Sequence, residues 1–274
     1  MLVQRVLSAV VAIPLLAGLT WLAPAWLFVA LILGLALTAQ WELYRMFAVA
    51  GVEAARGPAF VLGGAVVLAF ALGGATRPWL VPLALSLAVA GCLALGLRHP
   101  AGAGIDWAGV ALTLLGICYC SWLLGHAIWL RELPRGRELT LLVLAVTWCG
   151  ESAAYFVGRR WGRRKLASRI SPAKTVEGAA AQVVASLGVA LVATPGLAVE
   201  LWHAVGIGLM LGVVGQVGDL AESFLKRSAG TKDAGGWLPG HGGLLDRLDS
   251  LLFNIPALYY YVTVLLPRSG ASHG

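Results

Sequence analysis

Residues 215–250 read GQVGDLAESFLKRSAGTKDAGGWLPGHGGLLDRLDS and gather five carboxylates and four basic side chains, in a chain of which only 12% is charged. Asp219, Glu222, Ser223 and Lys226 fall at helical spacing. Asp219 and Ser223, four apart, share a face, and Lys226 lies one turn further on. A solvated helix end accounts well for Glu222, paired with Lys226. It accounts poorly for Asp219, which follows an apolar run and the small residues Gly215 and Gly218. Asp246 and Asp249, three apart at the start of the next apolar segment, point to one side. Asp219, Asp246 and Asp249 converging from two helices would make an all-oxygen site, suited to Mg²⁺ shared with substrate phosphates. Two aspartates at a helix start can also do no more than offset the positive end of its dipole. The surrounding Lys226, Arg227, Lys232 and Arg247 favour the anion-binding reading. Between the carboxylates, Gly235-Gly236 and Gly240-His241-Gly242-Gly243 allow a backbone to approach a phosphate closely and present its N–H groups.

A second polar stretch, GESAAYFVGRRWGRRKLASRISPAKTVEG, occupies residues 150–178. Its run Arg159, Arg160, Arg163 and Arg164 reads as an anchor against anionic headgroups. Ser171, Lys174, Thr175 and Glu177 bring hydroxyls, an ammonium and a carboxylate to the mouth of an apolar segment, an assortment suited to phosphate. Thr175 can equally serve as a helix N-cap.

The elements that must position these groups are apolar. Of 274 residues 59% are hydrophobic, and the mean hydropathy is +0.83. A soluble domain carries about twice the charged fraction found here, and a membrane span needs roughly 20 mostly apolar residues. The spacing predicts spans at about 4–22, 26–48, 58–75, 78–98, 107–130, 139–158, 178–196, 200–227 and 247–266. Pro24, Gly57-Pro58, Pro78, His99-Pro100, Pro134, Pro195-Gly196 and Pro239-Gly240 punctuate them. The expected fold is therefore all-α: a polytopic integral membrane protein of about nine transmembrane helices with short loops. About five spans fill residues 1–140, and a catalytic region with two polar loops fills 141–274, within a single membrane domain. The first 25 residues have some features of a secretory signal, but further spans follow at once, so a first transmembrane helix is preferred. Cys92, Cys118, Cys120 and Cys149 all lie in apolar segments without a Cys-x-x-Cys pair, which argues against a zinc site or a disulfide framework.

The formal charge of +7 is distributed as a topology signal rather than as a nucleic-acid patch. With the N-terminus in the cytoplasm, that side receives Arg5, Arg45, Arg56, Arg98, Arg159, Arg160, Arg163, Arg164, Lys165, Arg169, Lys174, Lys226, Arg227, Lys232 and Arg247. The far side receives Arg77, Arg131, Arg135, Arg137 and Arg268. Both polar loops then face the cytoplasm, where soluble nucleotides are, and the C-terminus lies outside.

The residues resemble the phosphatidate cytidylyltransferase, or CDP-diacylglycerol synthase, family. Ser223, Lys226-Arg227, Lys232-Asp233, Pro239, His241-Gly242-Gly243, Asp246-Arg247 and Asp249 follow its signature in order over 27 residues. Gly218-Asp219 and the stretch Ser171 to Gly178 are also typical of it, whereas the first 140 residues are similar only in being apolar and multi-spanning. One position departs: where the family has Asp before Ser or Thr and then Ala-Tyr, this chain has Glu151, one methylene longer, followed by Ser152, Ala154 and Tyr155. The resemblance implies transfer of a cytidylyl group from CTP to phosphatidic acid, giving CDP-diacylglycerol and pyrophosphate, at a bacterial inner membrane. It implies Mg²⁺ as cofactor, with a second metal or a monovalent cation left open. Asp219, Asp246 and Asp249 become the metal ligands, and Asp219, Asp246, Lys226 and Arg247 the catalytic set. Ser171, Lys174, Thr175, Ser223, Arg227, Lys232, Asp233, His241, Gly242 and Gly243 become substrate contacts, with Glu151 and Glu177 as further candidates. The expected partners are CTP, phosphatidic acid and the bilayer, without nucleic acid; a homodimer is left open.

The chemistry suits the residue types, because the nucleophile is a phosphate already on the lipid. The protein has only to bring two anions together and offset charge as pyrophosphate leaves. A CDP-alcohol phosphotransferase fits less well, since Asp246-Arg247-Leu248-Asp249 lacks its aspartate spacing. A CTP-using lipid or polyprenol kinase is a nearer rival and would release CDP instead of pyrophosphate. A transporter would more often show repeat symmetry and charges near mid-membrane.

Overall fold

The computed structural model describes residues 14–74, 76–97, 107–197, 199–232, 235 and 243–266. The first helix, α1, is described over 14–22. It is followed by α2 (Ala25–Val49), α3 (Arg56–Gly73), α4 (Leu80–Gly96) and α5 (Trp107–Glu132). After the turn at Pro134 come α6 (Gly136–Trp161), a hairpin of β1 (Lys165–Ala167) and β2 (Ser171–Thr175), α7 (Val176–Leu197), α8 (Leu201–Ser228) and α9 (Leu245–Leu265). Among the described residues, seven helices are long and apolar enough to cross a membrane. Helix α4, with 17 residues, falls just short of that length, and most of the expected first span lies outside the described residues. The all-α polytopic architecture holds.

Two local departures matter. The stretch expected as a plain loop at 159–177 folds partly into the β1–β2 hairpin, antiparallel, with Lys165 opposite Thr175 and Ala167 opposite Ser171. Helix α5 is interrupted by a π-helical turn at Ile117–Trp122. Such turns are rare and are found frequently at functional sites.

Helices α6, α7, α8 and α9 pack in succession, and glycines on α8 set how closely they approach. On one face, a Cβ at Gly208 would lie 2.6 Å from Leu187 Cα, and one at Gly212 would lie 2.8 Å from Val183 Cα, so α7 rests directly on the α8 backbone. On another face, a Cβ at Gly218 would stand 2.6 Å from the Asp249 carbonyl oxygen, so α9 does the same. This is the small-residue packing that lets membrane helices associate when lipid is as apolar as any side chain. Asn254 Nδ2 donates to Thr147 Oγ1 at 3.0 Å, joining α9 to α6.

The amino-terminal helices form their own layer around a buried amide. Gln40 Nε2 donates to Tyr44 Oη at 2.8 Å and to the Ala59 carbonyl at 3.0 Å. Ser121 Oγ donates to Gln40 Oε1 at 3.1 Å, and Tyr44 Oη donates to the Thr113 carbonyl at 2.7 Å. With no water in the hydrocarbon core, each of these groups must find its partner inside the protein. Helix α5 joins the layers, where His126 Nε2 meets Tyr260 Oη at 3.1 Å.

Candidate active site

The hairpin is built by the residues at its root. The carboxylate of Glu177 accepts the backbone N–H groups of Arg163 at 3.0 Å and Arg164 at 3.3 Å. Thr175 Oγ1 accepts the Gly178 N–H at 3.1 Å, so Thr175 does cap α7. Gly158 and Gly162 of the α6 end leave room for its side chain: a Cβ at Gly162 would sit 2.6 Å from Thr175 Cγ2. With the strand pinned at this end, Lys174 turns inward and its Nζ lies 2.6 Å from Asp219 Oδ1.

Asp219 sits where α8 meets α9. Because Gly218 brings the two backbones together, the next turn of α8 is enclosed, and Glu222 is fully buried with Asp249 8% exposed. Asp219, Glu222 and Asp249 each offer a carboxylate oxygen, and these atoms lie within 4.8 Å of one another. Lys226 stands on the far side of Glu222, ion-paired with it and with Asp246 Oδ1, the latter at 2.6 Å. The other Asp246 oxygen accepts the Gly243 N–H at 2.7 Å.

The expected trio is therefore altered at one position. Asp219 and Asp249 meet as the spacing predicted, but their third companion is Glu222. Its reading as a solvated surface pair is overturned, because α9 covers the turn that carries it. Asp246 lies beside Lys226, one step removed from the trio.

A cavity of about 580 Å³ opens beside Asp219. Helices α6 and α7, the hairpin and α8 line it, through Glu151, Tyr155, Arg159, Lys165, Lys174, Thr175, Gln182, Gln216 and Asp219. Its size lies in the range of small-molecule sites. Glu151, the one departure from the signature pattern, lines this wall together with Asp219. Arg159 also lines it, with Nη1 donating to Tyr155 Oη at 2.9 Å, so it belongs to the cavity rather than only to a headgroup anchor.

The other expected residues fall around this centre. Ser223 is buried one turn after Asp219. Arg227 donates from Nε to the Ile170 carbonyl and from Nη1 to the Thr231 carbonyl, both at 3.2 Å, tying the hairpin turn to the end of α8. Ser171 lies at the turn end of β2, and Glu177 serves the hairpin root, both outside the lining of the cavity. Lys232 and Arg247 are exposed. Asp233, His241 and Gly242 lie outside the described residues.

Sequence reasoning missed Glu42 of α2, which is fully buried. Its Oε1 accepts the Leu244 N–H at 3.0 Å and its Oε2 the Leu245 N–H at 2.7 Å, at the first turn of α9. The signal was a carboxylate inside an otherwise apolar span, which is costly without a purpose. Gln182 and Gln216, which line the cavity, were also missed.

The sequence profile of the cytidylyltransferase family matches residues 3–265. A protein of Synechocystis sp. named phosphatidate cytidylyltransferase is 34% identical over 96% of this chain and 97% of its own length. A Bacillus subtilis protein of the same name is 41% identical over 57% of each chain. One from Brucella suis biovar 1, again so named, is 47% identical over 47% of this chain and 48% of its own.

Proposed function

This chain belongs to the cytidylyltransferase family, and on that premise we propose that it transfers the cytidylyl group of CTP to phosphatidic acid, releasing pyrophosphate. The observation that carries this reading is the trio Asp219, Glu222 and Asp249, flanked by Lys174 and Lys226 beside a 580 Å³ cavity. Three close carboxylates, two of them shut away from water, suit a hard divalent cation, and all-oxygen ligation favours Mg²⁺. When bound, the ion supplies charge neutralisation to the phosphates and polarises their oxygens.

The chain's own residues do the rest. An oxygen of the lipid phosphate attacks the α-phosphorus of CTP, and the bond to the β-phosphate oxygen breaks. Lys174, reaching from β2, and Lys226, between α8 and α9, bring positive charge to either side of the trio. Held in place before the reactants arrive, such charges lower the barrier without reorganising during the reaction. Arg159 and Lys165 extend that field along the cavity wall. No side-chain nucleophile is required, because the lipid already carries one.

The carboxyl ends of α2, α6 and α8, the amino ends of α7 and α9, and the hairpin share one end of the helix layers. The basic residues concentrate there, which supports placing this end in the cytoplasm of a bacterial inner membrane with the N-terminus inside. Tyr155 and Phe156 are exposed on the α6 wall, an apolar approach by which a lipid can enter sideways while its acyl chains stay in hydrocarbon.

The test uses purified protein in detergent with labelled CTP and phosphatidic acid. Pyrophosphate release that stops on chelation of Mg²⁺ is the expected result. Release of CDP would instead identify a lipid kinase, and turnover that persists in EDTA would remove the metal role.

A further inference from the structure

We infer that Glu42, from the second helix, is a positioning residue for the carboxylates of α9. This rests on the reading above for its metal-binding and activity measurements, and on geometry alone for hydrogen exchange. Glu42 has 0% exposure, and no ion pair neutralises it among the described residues. Both of its oxygens are occupied by backbone donors of one helix end, Leu244 at 3.0 Å and Leu245 at 2.7 Å. The free N–H groups and positive dipole end of a helix are where a buried carboxylate is best compensated.

Two glycines are shaped around the same carboxylate. A Cβ at Gly243 would lie 2.6 Å from Oε2, and one at Gly235 would lie 2.8 Å from Oε1. Glu42 thus touches the chain at 235 and again at 243–245, on both sides of the glycine-rich stretch. The helix end it grips carries Asp246 on its next residue and Asp249 one turn later. Gly243, in contact with Glu42, also donates to Asp246 Oδ2 at 2.7 Å. A shift of this end moves Asp246 against Lys226 and Asp249 against Asp219 and Glu222. Glu42 itself belongs neither to the trio nor to the cavity lining. Its influence on the reaction passes through α9.

The test compares the full-length protein with Glu42→Gln, which keeps the shape but turns one acceptor into a donor facing an N–H. Three measurements are made: hydrogen exchange at the Leu244 and Leu245 amides, Mn²⁺ binding followed by electron paramagnetic resonance, and kcat and KM per folded molecule. Expected are faster exchange at those two amides and Mn²⁺ affinity weakened by about 10- to 100-fold, the usual effect of losing support behind metal ligands. A fall in kcat with the KM for CTP nearly unchanged is expected alongside. Gly235→Ala, which crowds Oε1, reproduces the same pattern. Leu43→Ala, at the neighbouring fully buried position, controls for general loosening: it lowers thermal stability without changing Mn²⁺ affinity. Unchanged exchange and Mn²⁺ affinity in Glu42→Gln, or an equal loss of affinity in Leu43→Ala, would overturn the inference. If the wild type makes no CDP-lipid yet Glu42→Gln still weakens Mn²⁺ binding, the proposed reaction fails and the positioning role stands.

Discussion

Replacing Lys226 by methionine tests the electrostatic design of the site. Lys226 Nζ is the cation shared by Glu222, fully buried, and Asp246, whose side chain is 14% exposed. Methionine fills a similar volume but leaves two carboxylates facing each other with nothing positive between them. Removing one partner of a buried ion pair costs about 3–5 kcal/mol, because the other charge stays behind uncompensated. Taking the about 2–4 °C per kcal/mol found for domains of 150–250 residues, the melting temperature should fall by about 6–20 °C. The assay is thermal unfolding in detergent with EDTA, so that no divalent ion stands in for the ammonium. Adding Glu222→Gln removes the stranded charge and should recover about 0.5–3 kcal/mol, the coupling expected for groups in one network, without restoring turnover. A melting temperature for Lys226→Met within about 2 °C of wild type would refute the reasoning, since it would mean that loss of the ammonium strands no charge between Glu222 and Asp246.

Three further outcomes are expected. Asp246→Asn should remove nearly all Mg²⁺-dependent transfer, by about 100-fold or more, while the protein remains inserted and folded; wild-type turnover would place Asp246 outside the chemistry. Gly218→Ala should cut kcat by about 100-fold, because a Cβ at 2.6 Å from the Asp249 carbonyl must open the α8–α9 contact, and a misplacement of about 1 Å carries that cost in a preorganised site; unchanged kcat would show that this approach does not set the trio. Arg163→Ala should stay within about twofold of wild type, because among the described residues only its backbone N–H is used, in the bond to Glu177; an inactive variant would mean that its side chain binds substrate.

The helices were legible because hydrocarbon leaves the chain few options. Every long apolar segment had to satisfy its own backbone, and the prolines marked most of the breaks. Asp219 and Asp249 were legible for the complementary reason, as charges at membrane depth that only a function would retain. Glu222 was misjudged because i,i+4 spacing to Lys226 looks the same on a solvated helix and on a covered one. What distinguishes the two is Gly218, whose missing side chain draws α9 over the next turn, and that contact is a tertiary fact. The hairpin escaped notice because three- and five-residue strands carry little periodicity, and Glu177, Thr175 and three glycines hold it rather than any strand propensity. Glu42 carried the same warning as Asp219, a carboxylate among apolar neighbours, but its donors stand 202 and 203 residues further along the chain.

That separation has a consequence for biogenesis. A ribosome adding about 5–20 residues each second delivers α2 to the bilayer roughly 10–40 s before the amides that Glu42 will bind, 202 residues later. Throughout that interval the carboxylate lacks the two amides that hold it in the folded protein, and because a charge at membrane depth is costly, its end of α2 is expected to stay hydrated near the headgroups until α9 arrives. On the positioning role inferred above, insertion of α9 seats Glu42 and sets Asp246 and Asp249 in place together. A partly translated chain can therefore reside in the membrane with its carboxylate site still incomplete.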